Sequence, residues 1–84
     1  MEIIHTEHAP AAIGPYSQAI AHCALVFTSG QLPIDPATGS FPEGGIEAQA
    51  EQSIANLKAI LEAAGSDLAH VAKTTCYLQH MSDF

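Results

Sequence analysis

Tyr16, Ser29 and Gly30 combine polar groups with local backbone that could leave them open to a ligand. Tyr16 follows the step Gly14-Pro15 and carries a phenolic hydroxyl, while Ser29-Gly30 closes the apolar run Ala24-Leu25-Val26-Phe27. A small hydroxyl and a glycine at the end of a strand let a ligand reach a backbone N–H with no side chain in the way. Such a set supplies hydrogen-bond donors for a polar ligand. Each residue also has a plainer role: Tyr16 as an amphipathic aromatic at the rim of a subunit contact, Ser29-Gly30 as a simple turn, and Gln31 as a hydrogen-bonder that holds the loop.

Other chemistries find weaker support. His5, His8, His22, His70 and His80 show no HxH or HExxH spacing on a common element, so no metal site is expected. Cys76 falls on the apolar face of a strand-like run and reads as a small core residue; Cys23, near a turn, is the more exposed and has no evident activating base. Ser29 lacks a recognisable His and acid pair. Glu47 and Glu51, on the first half of a helical stretch, are favourably placed against its dipole and read as a solvated face.

The 84 residues allow one domain. A chain of this size buries only about 60–65 % of its unfolded surface, which makes self-association a natural source of added stability. Two cysteines do not make a disulfide framework, and a reducing compartment suits them better. No basic segment followed by a long apolar run opens the chain, and no stretch approaches the ~20 apolar residues of a spanning helix, so a cytoplasmic protein without membrane partners is expected. Nine carboxylates against two lysines and no arginine give a net charge of −7, which opposes nucleic-acid binding. An anionic ligand must then be held by Lys58, Lys73, backbone N–H groups or another chain.

The elements that position these groups follow from periodicity. Glu2–His5 reads as a short edge strand, and Ala9–Pro15 as an extended approach in which prolines exclude helix. Tyr16–Ala21 and Ala24–Ser29 read as strands, the second buried on both sides, with His22-Cys23 as their connection although it lacks the usual Gly or Asn. Asp35-Pro36-Ala37-Thr38-Gly39 has turn chemistry. Ile46–Ala64 reads as a helix with an apolar stripe of Ala50, Ile54, Leu57, Leu61 and Ala64, capped by Gly65. After a connecting turn at Asp67–Ala69, Val71–Leu78 alternates as a strand whose Cys76 face is expected to pack on the helix. Ser82 or Asp83 would then cap a further helix, as in a longer design cut short. Strand, strand, helix, strand is half of an α+β sandwich, a single sheet with helices on one face.

Two blocks, Ala12-Ile13-Gly14-Pro15-Tyr16-Ser17-Gln18-Ala19 and Thr28-Ser29-Gly30-Gln31-Leu32-Pro33, resemble the signatures of the RidA (YjgF) family. The resemblance implies a chorismate-mutase-like fold over residues 1–84, incomplete at the C-terminus, and a homotrimer with sheets inward and a site at each subunit interface. It implies hydrolysis of reactive 2-imino acids, 2-iminobutanoate and 2-iminopropanoate, to 2-oxo acids and ammonia, with no metal or other cofactor. Tyr16 would be the catalytic tyrosine, and Ser29 and Gly30 would bind substrate. The family's carboxylate-holding arginine and water-activating glutamate would fall beyond Phe84. The alternative is a non-catalytic trimeric module that binds a ligand or serves assembly. The family is also associated with ribonuclease and translation-inhibitor descriptions, to which the charge of this chain lends no support.

Overall fold

The computed structural model describes the whole chain, Met1–Phe84. Three short strands come first, β1 (Glu2–Ile4), β2 (Ala19–His22) and β3 (Leu25–Thr28), followed by one long helix, α1 (Gly45–Ala63). The strands form one antiparallel sheet in the order β1-β2-β3. Single 3-10 turns at Leu68–His70 and Met81–Asp83 complete the regular structure. A sheet with a helix on one face is the α+β arrangement that the sequence pattern implies.

The β2–β3 hairpin pairs His22 with Leu25 and Ala19 with Thr28. Its two-residue loop is therefore Cys23-Ala24, one position later than His22-Cys23. Cys23 takes the left-handed conformation, at φ 56°, that a Gly or Asn would fill with less strain. Register then sorts the side chains. Ile4, Ala19, Ala21 and Val26 join Ala9 and Ile60 in the core. On the opposite face Ile3, Ile20 and Phe27 stand in one cross-strand row. Ile3, Leu25 and Phe27 are 69 %, 59 % and 55 % exposed, so β3 is covered on one face only, not on both.

The helix forms where its periodicity indicates, but its buried stripe is rotated. Asn56, Ile60 and Leu61 are buried, whereas Ala50 and Ile54 face outward. Asn56 takes a core position because the carbonyl groups of a neighbouring loop require donors there. The C-terminus is a Schellman closure: Gly65, at φ 82°, donates to the Glu62 carbonyl and Ser66 N–H to that of Leu61. Asp35 behaves as expected of a turn residue, its Oδ1 accepting from Ala37 N–H at 2.8 Å.

The Val71–Leu78 strand does not form. The segment carries no ladder, and all but Leu78 of its residues, Cys76 included, are exposed, so no Cys76 face packs on α1. Extended backbone becomes a strand only when another strand satisfies its N–H and C=O groups, and this segment pairs with neither edge of the three-stranded sheet. Likewise the terminal 3-10 turn is preceded by His80, with neither Ser82 nor Asp83 as its cap.

Only seven residues are buried, and two of them are carboxamides, Gln18 and Asn56. Gln18 fastens the segment before β2. Its Oε1 accepts from Thr6 N–H at 2.7 Å, and its Nε2 donates to the carbonyls of Thr6 at 3.1 Å and Pro10 at 2.8 Å, with a longer contact to Ala9 at 3.4 Å. Gln18→Ala removes every one of these bonds and leaves part-buried backbone groups unpaired. Urea unfolding should show a loss of about 2–3 kcal/mol at unchanged m-value.

Candidate functional site

Antiparallel pairing brings the two signature blocks to one end of the sheet. Because Ala19 stands opposite Thr28, the residues just before β2 lie beside those just after β3. Two hydrogen bonds fasten this junction: Ser29 N–H to the Gln18 carbonyl at 2.9 Å, and Ser29 Oγ to the Ser17 carbonyl at 2.5 Å. Ser29 is thus committed as a donor to Ser17, and its hydroxyl oxygen can still accept.

Beyond Ser29 the chain forms a short ledge, Gly30-Gln31. Neither residue's N–H finds an acceptor within the chain. Gln31 folds its Nε2 back onto the carbonyls of Ser29 at 3.3 Å and Gly30 at 3.2 Å, the loop-holding role that its sequence position suggested. Gly30 itself is exposed, and a Cβ placed on it would meet nothing within 4 Å. Its φ lies outside the left-handed region, so no intrachain contact or backbone strain requires glycine here. The lack of a side chain keeps the ledge open to something outside the chain.

Below the ledge lies a shallow cleft of about 280 Å³ lined by Ser17, Ala19, Ile20, Phe27, Thr28 and Ser29. It runs from the polar Ser17-Ser29 junction onto the apolar outer face of the sheet, through Ile20 and Phe27. Tyr16 stands apart from its lining. Half exposed, it follows a tight turn in which its N–H bonds the Gly14 carbonyl across Pro15 at 2.8 Å. Its hydroxyl makes no bond within the chain. The structure therefore brings Ser29 together with Ser17 at the cleft, with Gly30 next to Ser29 in the chain, and leaves Tyr16 outside the lining, next to Ser17 in sequence.

Two residues that the sequence pattern did not single out hold this region. Gln18 anchors it from the β2 side. From the helix, Asn56 Nδ2 donates to the carbonyls of Leu32 at 3.1 Å and Ile34 at 3.0 Å, and Gln52 Nε2 donates to Asn56 Oδ1 at 2.9 Å. The available signal was a pair of polar side chains, Gln52 and Asn56, spaced four apart in line with Ile60.

Charge is sparse around the cleft. Lys58 and Lys73 are both exposed and neither lines it. No three His, Cys, Asp or Glu side chains cluster as metal ligands. His70 Nδ1 meets Asp67 Oδ1 at 2.7 Å in the exposed turn after α1. That hydrogen bond, with a smaller Coulombic contribution from the same ring, holds the Asp67 carboxyl below its ordinary value. No helix is long and apolar enough to cross a membrane.

The chain is similar to known proteins in both sequence and fold. The chain is 51 % identical over 81 residues to the 2-iminobutanoate/2-iminopropanoate deaminase of Salmonella typhimurium, covering 96 % of this chain and 62 % of that protein. A solution structure of a hypothetical protein from Haemophilus influenzae superposes with a TM-score of 0.87 at 55 % identity, over 98 % of this chain and 62 % of the other. E. coli TdcF with bound serine gives 0.77 at 47 % identity, over 81 % and 53 %. The chain thus spans less than two thirds of the length of each. The sequence pattern of the endoribonuclease L-PSP family matches residues 6–84, and the chain belongs to that family, the RidA family whose signature blocks meet at the Ser17–Ser29 junction.

Proposed function

We propose that this chain contributes to hydrolysis of small 2-imino acids, and that the Gly30-Gln31 ledge with its adjoining cleft is the substrate side of the site. The observation that carries the reading is the open glycine: Gly30 needs no hydrogen side chain for its own fold, and its N–H has no partner. The similarity to a named 2-iminobutanoate/2-iminopropanoate deaminase supports the same reading. Water adds to the imine carbon, the carbon–nitrogen bond breaks, and the nitrogen leaves as ammonia, giving the 2-oxo acid. In this scheme the ledge N–H groups hold substrate oxygens, with Ser29 Oγ available as an acceptor, and Tyr16, beside Ser17 in the chain, supplies its hydroxyl. A ribonuclease role fits poorly, since a net charge of −7 repels a polyanion.

The site is read as lying between copies of the chain, as in a homotrimer. The cleft opens onto the sheet face where Ile3, Leu25 and Phe27 are more than half exposed. Covering each of these side chains gains on the order of 1 kcal/mol, which favours association of a protein with so small a core. A second copy laid on that face then adds a wall to the cleft.

Two measurements test the proposal. With 2-iminobutanoate generated in situ by a threonine dehydratase, the purified chain should clear the imine faster than buffer. Gly30→Ala, whose Cβ would meet nothing in the chain within 4 Å, should crowd the ledge and lower that rate at least tenfold at an unchanged thermal midpoint; clearance equal to buffer by the unaltered chain would overturn the activity. In sedimentation velocity the chain should run as a trimer and Leu25→Glu as a smaller species, and an unchanged profile for the variant would contradict assembly through the sheet face.

A further inference from the structure

Asn56 lies four residues before Ile60 on the helix face that packs against the sheet, and it is 1 % exposed. An apolar side chain there would serve the core better, because asparagine is a mediocre helix former and a buried carboxamide costs free energy unless every group is bonded. Every group is bonded. Carbonyl oxygens can only accept, so the Leu32 and Ile34 carbonyls fix the Asn56 NH2 toward the loop, and Oδ1 is left to accept from Gln52. The loop needs these donors because it turns at Pro33, which has no N–H; the Ile34 N–H closes the turn onto Leu32 at 2.8 Å. Residues 29–34 are consequently held at two ends. Ser29 is bonded to Ser17 and Gln18, Leu32 and Ile34 are bonded to α1, and between the anchors lie only Gly30 and Gln31, with their N–H groups free.

We propose that Asn56, oriented by Gln52, is a positioning residue that sets the direction of the Gly30 and Gln31 N–H groups from behind the loop. The inference deepens the reading of the ledge as the substrate side of the site and rests on it for its catalytic consequence. It does not rest on it for its structural consequence. Asn56 touches no ligand surface, so its influence on turnover passes through the loop alone.

The test uses Asn56→Leu, which keeps the branched side-chain skeleton and removes both donors, and Gln52→Ala, a half-buried change that removes only the orienting bond. Amide exchange by NMR is read at Ile34 and across the β2–β3 hairpin, and imine clearance is read as kcat and KM. Asn56→Leu should speed exchange of the Ile34 N–H at least tenfold, move the Gly30 and Gln31 resonances, leave hairpin exchange within twofold, and lower kcat/KM at least tenfold. Gln52→Ala should do the same to a smaller degree and carries the test if Asn56→Leu does not fold. A merely structural role would raise exchange throughout the sheet and leave turnover of the folded fraction intact, and that pattern would overturn the proposal. Should the unaltered chain clear no imine, the activity reading fails separately, and the positioning role is decided by whether the exchange and resonance changes stay confined to residues 29–34.

Discussion

The carboxamide of Gln18 is the constraint on which the rest of the structure depends. With seven buried residues the chain has little apolar core, so its geometry is set to an unusual degree by buried polar bonds. The Gln18 side chain ties Thr6, Ala9 and Pro10 to the start of β2, and its backbone carbonyl receives Ser29 N–H from the end of β3. One residue thereby fixes the approach segment, the edge of the sheet and the point from which the ledge departs. Asn56 plays the matching part from α1.

This economy has a structural counterpart on the outer face of the sheet. The alternation of side chains that sends Ile4, Ala19, Ala21 and Val26 into the core sends Ile3, Ile20 and Phe27 the other way, where Ile3 and Phe27 stay more than half exposed and flank a partly covered Ile20. The cleft borders that same face, so the polar ledge and the apolar row form one continuous surface. A single partner surface could cover the apolar row and close the cleft together, which links assembly to site formation in the proposed reading.

Much of this was legible in the residues. The helix followed from its 3.6-residue period and Gly65, the hairpin from two apolar runs, and the family from the blocks around Tyr16 and Ser29. What escaped had identifiable physical causes. The buried stripe of α1 rotated toward Asn56 because loop carbonyls outweighed the apolar side chain of Ile54. The turn moved to Cys23-Ala24 because pairing of His22 with Leu25 set the register, whatever the local preference for Gly or Asn. Val71–Leu78 has strand-like alternation, yet period alone cannot supply a pairing partner. Ser29 and Gly30 lie just past the end of β3, near where the apolar run was read to close, while the part of Asn56 was invisible, since a polar residue on a helix face usually signals solvent, and Gln18 stood in the first block with nothing local to show that its side chain would be buried.

The most direct test of the central claim, that the Gly30-Gln31 ledge receives the substrate, is an amide-resolved NMR titration of the chain with 2-oxobutanoate, the product of 2-iminobutanoate hydrolysis. Saturable shifts should concentrate at Ser17, Ser29, Gly30 and Gln31. Saturable shifts centred instead on the second cleft, between the start of α1 and the Tyr77–His80 segment, or no binding at all, would contradict it.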